Sequence, residues 1–286
     1  MKPPPFAYHA PESLDEAVAT LAEQGDDAKV LAGGQSLIPL LSLRLARPTA
    51  LIDLNGVAEL SSIDVNGETA IGAMTRHRAV ERSPEIARRV PLLAAAVPYI
   101  GHAAIRNRGT IGGSLAHADP AAELPAVALA LDATFEARST RGTRTIAAAD
   151  FFSGYFTTAL EADEILTRVT FPNVAPRTGV SVQEMARRHG DFAMVAVVAS
   201  VTIDGDVRIA LVNVADRPVR ATEAEAAMQL GAEIDEVAAL ATGGLDPAAD
   251  LHATAAYRRH VAGVLVRRAL TEASERAAAE PAGSAA

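Results

Sequence analysis

The feature of this sequence that most constrains its fold is a glycine-rich stretch running from Gly109 to Glu123. The stretch is predicted to begin as a backbone turn and to continue into an apolar helix. Gly112 and Gly113 lack a Cβ atom, so their backbone amides can approach a bulky anion closely. The stretch contains no lysine or arginine, so a bound anion would be held by amide dipoles rather than by side-chain charge.

A second glycine segment lies upstream, at Lys29–Ser36. Its pattern predicts a buried strand over 28–32, a turn at Gly33 and Gly34, and a helix that Ser36 can cap. The spacing matches neither a Rossmann fingerprint nor a Walker loop. Two such turns, far apart in sequence, indicate one long ligand with a diphosphate at its centre. Two purely structural turns are the alternative.

Composition narrows the class of protein. The 286 residues suffice for two domains, and 49% hydrophobic with 21% charged residues is a globular balance. The apolar runs are interrupted, and the N-terminal segment lacks the apolar core of a signal peptide, so we expect a cytoplasmic protein without stable membrane insertion. A net charge of −9 and only 4% aromatic residues argue against nucleic-acid binding.

The sequence lacks the residues that several kinds of catalytic or metal site require. The sequence contains no cysteine, which excludes disulfides, thiol nucleophiles and iron–sulfur ligation by this chain. None of the seven histidines forms an HExxH motif, so we expect no metal site. A serine-hydrolase elbow is also missing. No catalytic residue is predicted.

Local patterns predict the remaining elements. Ser13 and Glu16 form a capping box for a helix that ends at Gly25, with Leu14, Ala17, Val18 and Leu21 on one face. The other predictions are a hairpin through Asn66–Gly67, a short helix capped by Thr75, a helix from Pro120 through Leu131, and strands over 133–138 and 165–171. A domain boundary is expected around Pro172–Gly179. Beyond it we expect strands over 180–187, 193–203 and 207–214 and a helix from Pro247 or Ala248 to Ala277.

The sequence resembles the FAD-binding medium subunits of the molybdenum hydroxylases. The resemblance rests on the segments Ala32–Leu37, Leu51–Asn55 and Thr110–Ser114, with Arg44 and Pro48. The carbon monoxide dehydrogenase type is the nearest, and xanthine dehydrogenase carries a fused version. The resemblance covers nearly the whole chain. It implies an α+β protein with a two-lobed FAD-binding domain of the vanillyl-alcohol-oxidase type over 1–175, its lobes at about 1–56 and 57–175. A C-terminal α+β domain with a three-stranded antiparallel sheet would occupy 176–286.

The resemblance also implies which residues bind FAD. The two glycine turns would enclose the diphosphate, Glu123 would bond ribose or ribityl hydroxyls, and Leu166 would contact the flavin. For Glu123 an ordinary acid at a helix start is the alternative, and Asp119 is predicted to cap that helix. The implied FAD-binding residues are Lys29, Val30, Leu31, Ala32, Gly33, Gly34, Gln35, Ser36, Ile100, Gly101, Thr110, Ile111, Gly112, Gly113, Ser114, Glu123, Leu166 and Glu184.

One position departs from the family pattern. Relatives often carry a lysine near Gln183 or Glu184, close to the flavin ring, where a cation would stabilise the anionic reduced flavin. This chain has Gln and Glu there, which leaves that role open. Arg187 is a candidate source of positive charge, and the alternative is that the neighbouring arginines are solvated or pair with Asp191.

The implied function is electron transfer. The chain would be the FAD subunit of a molybdenum-containing hydroxylase, bound to an iron–sulfur small subunit and a molybdopterin large subunit in a dimer of heterotrimers. Electrons would pass from the iron–sulfur clusters through FAD to a quinone, NAD⁺ or oxygen. Two alternatives stay open: a free-standing FAD oxidase or dehydrogenase, and a scaffold subunit that has lost its flavin.

Overall fold

The computed structural model describes residues 2–279. Its first lobe is a small parallel sheet with strand order β1-β3-β2 and two helices. The elements are β1 (Ala7–His9), α1 (Leu14–Gln24), β2 (Ala28–Leu31), α2 (Leu37–Ser42) and β3 (Ala50–Asp53). Short 3-10 helices at Leu54–Gly56 and Ala58–Leu60 lead out of this lobe.

Helix α1 follows the prediction. The Ser13 hydroxyl accepts from the Glu16 amide at 3.3 Å, and Gly25, at φ +77°, ends the helix. The second capping bond differs from a standard box, because the Glu16 carboxylate accepts from the Glu12 amide instead of the Ser13 amide. The four predicted apolar residues of this helix are all buried: Leu14, Ala17, Val18 and Leu21.

The second lobe is built on a five-stranded antiparallel sheet with the order β4-β5-β10-β6-β7. The predicted hairpin through Asn66–Gly67 joins β4 to β5. In chain order the elements are β4 (Ile63–Asp64), β5 (Thr69–Gly72), α3 (His77–Glu81), α4 (Pro84–Arg89), α5 (Pro91–Ala96), a 3-10 helix (Val97–Tyr99), α6 (Ala103–Arg106), α7 (Ile111–His117), α8 (Glu123–Ala130), β6 (Thr134–Ser139), β7 (Gly142–Ala147), α9 (Ala148–Phe151), β8 (Phe152–Gly154), β9 (Thr157–Thr158) and β10 (Ile165–Phe171).

Two predicted helix starts in this lobe are wrong. The helix predicted from Pro120 begins at Glu123, because the Asp119 carboxylate accepts from the Ala121 amide and closes a separate turn first. Thr75 does not cap α3, since its hydroxyl donates to the carbonyl of Ser62.

The C-terminal part carries a four-stranded antiparallel sheet in the order β11-β12-β13-β14 and three helices. The elements are β11 (Thr178–Met185), β12 (Val195–Thr202), β13 (Val207–Val212), β14 (Val219–Arg220), α10 (Thr222–Gln229), α11 (Ile234–Gly243) and α12 (Ala255–Ala279). The three predicted strands are present, but the predicted count of three is one too low. Strand β14 has only two residues, too few for an alternating pattern to show in sequence.

The long helix α12 starts later than predicted, at Ala255 instead of Pro247 or Ala248. The Asp250 carboxylate accepts from the amides of His252 and Ala253 and thereby folds the preceding segment into a turn. The Thr254 hydroxyl then accepts from the Tyr257 amide at 3.1 Å, which places the helix cap at Thr254.

Alternation along β12 explains how this sheet joins the rest. Ala196 and Val198 pack into the apolar core shared with α5 and α8, whereas Val195, Val197 and Ala199 pack toward the C-terminal helices. The sheet is therefore buried on both faces. Strand β10 ends at Phe171 and β11 begins at Thr178, so the predicted division at 175–176 falls in their connection, and a single core crosses it. The division into two domains stays a prediction.

The contact between β11 and α12 predicts a specific sensitivity. A Cβ on Gly179 would lie 2.5 Å from the Ala277 amide nitrogen and would overlap the Ala273 carbonyl. We expect Gly179→Ala to lower the free energy of unfolding by about 2 kcal/mol, because the helix would have to shift. Denaturant titration measures it. The control Gly243→Ala adds a Cβ into open space on α11 and should stay within about 1 kcal/mol of the wild type. Equal stabilities would contradict this packing.

Candidate functional site

The two glycine segments meet in the structure. A Cβ placed on Gly33 would lie 2.8 Å from Gly109 Cα and would overlap the carbonyl oxygen of Arg108. A Cβ on Gly113 would lie 3.1 Å from Ala32 Cβ. Backbone therefore packs directly on backbone here, and only residues without a side chain allow that approach.

A cavity of about 610 Å³ opens beside this contact. It is lined by the β2–α2 loop, by one face of α7, by the start of α8 and by β10. Most of the predicted binding residues line it: Lys29, Val30, Ala32, Gly33, Gly34, Gln35, Ser36, Ile100, Gly101, Thr110, Gly112, Gly113, Ser114, Glu123 and Leu166.

Three predicted residues do not line this cavity. Leu31 lines a smaller cavity of about 370 Å³ on the other side of the loop. Ile111 is fully buried in the core, since it occupies the inward face of α7. Glu184 lies on β11, and its carboxyl contacts that of Glu123 at the cavity wall.

The backbone amides of the central stretch are not free, contrary to the sequence expectation. Thr110 caps α7 and accepts from the Gly113 amide, while the Ile111 amide bonds the carbonyl of Thr75 and the Gly112 amide bonds that of Ala73. A Cβ on Gly112 would overlap Ala73. Gly112 and Gly113 thus serve close packing of α7, and they lie inside the helix instead of in a turn before it.

The β2–α2 loop offers the free amides. The backbone N–H groups of Gly33, Gly34, Gln35 and Ser36 have no acceptor among residues 2–279. Gly34, at φ +73°, turns the chain so that successive amides can converge. Ser36 occupies the N-cap position of α2, but its side chain makes no capping bond. This loop is the part of the site suited to an anion.

A polar network that the sequence analysis missed fastens the two segments together. Arg76 donates to the carbonyl of Arg108 and, at 2.6 Å, to the side-chain oxygen of Asn55. Asn55 in turn donates to the carbonyl of Ala32 at 3.0 Å. Since Ala32 belongs to one glycine segment and Arg108 directly precedes the other, Arg76 and Asn55 fix the position of one segment relative to the other.

A second missed residue, Arg106, shapes the corner at Ile100 and Gly101. Its guanidinium donates to the carbonyls of Ile100 at 3.1 Å and Gly101 at 2.9 Å, and it pairs with Glu81 at 3.1 Å. Gly101 has φ +49°, a left-handed conformation. A buried arginine bonded to backbone carbonyls has no local signature, so only the three-dimensional structure identifies this role.

His77 supports the start of α7 from below. Its ring is buried, and Nε2 lies 2.9 Å from the carbonyl oxygen of Thr110, to which it donates. Burial, with a smaller contribution from the charges of Arg106 and Arg76, lowers the pKa of His77 to about 4, against the opposing effect of the bond to Thr110. The ring is therefore neutral at physiological pH.

Three buried or half-buried glutamates lie at the cavity, and they differ in their partners. Glu164 is ion-paired with Arg144 at 2.7 Å, which holds the pKa of Glu164 below its usual range. Burial raises the pKa of Glu123 to about 7, and burial together with the neighbouring carboxyl raises that of Glu184 to about 8. Of the two arginines whose pairing with Asp191 was the alternative interpretation, Arg188 forms that pair at 3.4 Å.

The open side of the cavity is aromatic. Phe156 and Phe192 both line it, yet 57% and 66% of their surfaces are exposed. His117 lies with its ring centre 5.1 Å from that of Phe156. The local sequence around a phenylalanine in a loop does not show whether it lies at a cavity, so neither Phe156 nor Phe192 was predicted to belong to the site.

These features fit an extended dinucleotide. The cavity combines four free backbone amides, a cradle that a Cβ on Gly33 would obstruct, a buried carboxyl and apolar walls at Ile100 and Leu166. Residues 4–174 match the family model described as the FAD binding domain in molybdopterin dehydrogenase, and residues 180–273 match the CO dehydrogenase flavoprotein C-terminal domain. The chain belongs to this family. Its cofactor is FAD.

Individual relatives of this FAD-binding chain align over nearly all of it. It is 41% identical to a 6-hydroxypseudooxynicotine dehydrogenase complex subunit alpha of Paenarthrobacter nicotinovorans, with 97% of both chains covered. It is 40% identical to the carbon monoxide dehydrogenase medium chain of Hydrogenophaga pseudoflava, covering 97% of this chain and 100% of that one. A solved carbon monoxide dehydrogenase structure from the same organism superimposes with a TM-score of 0.94 over 96% of this chain and 99% of the other.

The predicted family, the FAD cofactor, the oxidoreductase class and the fold are thereby confirmed. The assignment of individual FAD-binding residues stays a prediction. Within residues 2–279, none of the helices combines the length and apolarity that a bilayer crossing requires.

The contact at Gly33 predicts the effect of a substitution on FAD binding. We expect Gly33→Ala to weaken FAD binding at least about tenfold, because the new methyl group would push the two glycine segments apart. Fluorescence titration with FAD measures the dissociation constant. The control Gly154→Ala places a Cβ at an ordinary 3.5 Å from Asp216, outside the cavity, and should bind FAD as the wild type does. Unchanged binding in Gly33→Ala would contradict the proposed cradle.

His77 predicts a pH dependence of stability. Because the pKa of the folded-state ring, about 4, lies below the ordinary 6.5, the unfolded chain binds a proton first as the pH falls. The free energy of unfolding should therefore drop by about 3 kcal/mol between pH 6.5 and 4 on account of this residue. His77→Gln keeps a donor for Thr110 but does not titrate, so its decline over that range should be shallower. Parallel curves for both proteins would disprove the assignment.

Proposed function

We propose that this chain is the electron-transferring FAD subunit of a molybdenum-containing hydroxylase. In this proposal an iron–sulfur small subunit delivers electrons, a molybdopterin large subunit oxidises the substrate, and a quinone, NAD⁺ or oxygen receives the electrons. The complex would be a dimer of heterotrimers. Alignment over 96–97% of this chain with relatives named as a medium chain, a medium subunit or a complex subunit supports it.

The composition supports the same division of labour. The sequence has no cysteine, and cysteine thiolates are the usual ligands of iron–sulfur clusters. No group of three or more histidine, aspartate or glutamate side chains within the described part of the chain is arranged to hold a metal ion. This chain contributes a flavin site, and the one-electron centres of the proposed complex would belong to its partners.

The residues of the cavity would divide the binding of FAD between them. The free amides of Gly33–Ser36 would hold the diphosphate, and Glu123 would accept from ribose or ribityl hydroxyls. Ile100 and Leu166 would provide apolar walls that exclude water from the ring. Bound FAD supplies the two-electron chemistry, because it can accept electrons singly and release them in pairs.

Purification from the native cells tests the proposal. We expect a tagged chain to bring down two further polypeptides together with flavin, iron, acid-labile sulfide and molybdenum. The matched control is the chain expressed alone, which should take up added FAD and oxidise no organic substrate. A single polypeptide that oxidises an organic substrate without metals would identify a free-standing FAD enzyme. A colourless chain that takes up no FAD would identify a scaffold subunit.

A further inference from the structure

Two carboxyl groups face each other at the wall of the FAD cavity without a cation. Glu123, at the start of α8, is only 6% exposed and lines the cavity. Glu184, half-buried on β11, directs its carboxyl at that of Glu123, and the two groups are in hydrogen-bonding contact. Oε2 of Glu184 is buried and receives no hydrogen bond from a donor within residues 2–279.

The other buried glutamates of the described chain are neutralised differently. Glu164 pairs with Arg144 at 2.7 Å, and Glu225 pairs with Arg220 at 3.0 Å. Neither Glu123 nor Glu184 forms an ion pair with an arginine, lysine or histidine of residues 2–279. Two carboxylates in contact repel each other strongly when both are ionised away from water, so one of them must keep its proton.

The surrounding charges reinforce this. Asp119, from the turn before α8, adds negative potential at Glu123. Tyr99 is the neighbour of Glu184 from the 3-10 helix, and beyond it on α12 lie Glu272 and Arg276, which bond each other at 2.5 Å. Arg276 is thus already neutralised and does not compensate the pair.

We propose that Glu123 and Glu184 form a carboxyl pair that shares one proton at neutral pH, and so presents one negative charge instead of two to the FAD cavity. The proton and the single negative charge belong to the pair, and Glu123 is the member whose oxygens line the cavity. Glu123 thereby remains an acceptor for a ligand hydroxyl, and Glu184 acts as a positioning residue.

The proposal links FAD affinity to pH. FAD carries two negative charges on its diphosphate. When the pH rises through the upper titration of the pair, a second negative charge appears at the cavity wall, and affinity should fall by about tenfold. Lowering the pH again should restore it. A carboxylate already paired with arginine shows no such change, because it is ionised throughout.

Infrared spectroscopy of the flavin-free chain tests the shared proton directly. We expect the carbonyl stretch of a protonated carboxylic acid at pH 6 that disappears by pH 10. The double variant Glu123→Gln/Glu184→Gln should lack this band. The matched control Glu164→Gln removes a buried carboxylate from the same cavity, but an ionised one, and should keep the band. A wild type without the band at pH 6, or a double variant that retains it, overturns the proposal.

FAD titration between pH 6 and 9 gives the second measurement. The wild type should lose about tenfold in affinity across this range, and the double variant, whatever its absolute affinity, should show no such slope. Glu164→Gln should keep the wild-type slope. A pH dependence that is the same in the wild type and the double variant would overturn the link between the pair and the ligand, even with the infrared band present. Because the infrared arm needs no flavin, failure to bind FAD is distinguishable from failure of the pair.

Discussion

The site depends on one physical contact, the packing of backbone on backbone between Gly33 and the Arg108–Gly109 peptide. Van der Waals contact without side chains brings two distant parts of the chain close enough to form one cavity wall. Such a contact has no side-chain chemistry of its own to hold it, so the Arg76–Asn55 network fixes its position by bonding carbonyls on both sides. Glycine permits the close approach of the two segments, and the side chains of Arg76 and Asn55 fix their relative position.

The glycines of the two segments therefore have different physical roles. Those of α7 allow the helix to pack against Ala73 and Ala32, and their amides are bonded within the protein. Those of the β2–α2 loop leave consecutive amides free. In the proposed function, these amide dipoles would hold the diphosphate of FAD.

Sequence reasoning located the cavity, because glycine, hydroxyl and apolar residues in a recognisable order carry local information. The bonded amide of Gly112 was not predicted, since its acceptor, the carbonyl of Ala73, is identified only once β5 packs against α7. The amide of Gly113 was also expected to be free, but the local Thr110 cap occupies it. Sequence reasoning missed Arg106, His77 and Arg76, whose partners are backbone carbonyls elsewhere in the fold. Strand β14 and the start of α12 were not predicted correctly for a related reason. Pairing with β13 defines β14, and the turn at Asp250 sets the start of α12, and hydrophobic periodicity reports neither.

The charge of each carboxyl group at the cavity depends on whether a cationic side chain lies beside it. Glu164 has an arginine and can stay ionised, whereas Glu123 and Glu184 have only each other. Two ionised carboxylates that are buried in contact without a cation destabilise any fold. A folded protein with such a pair therefore keeps one of the two carboxyl groups protonated. Since Glu123 comes from the second lobe and Glu184 from the C-terminal sheet, the proton of the proposed pair would also link these two parts at the cavity wall. The C-terminal part thus forms a section of the cavity wall, and the shared apolar core holds it in place against the second lobe.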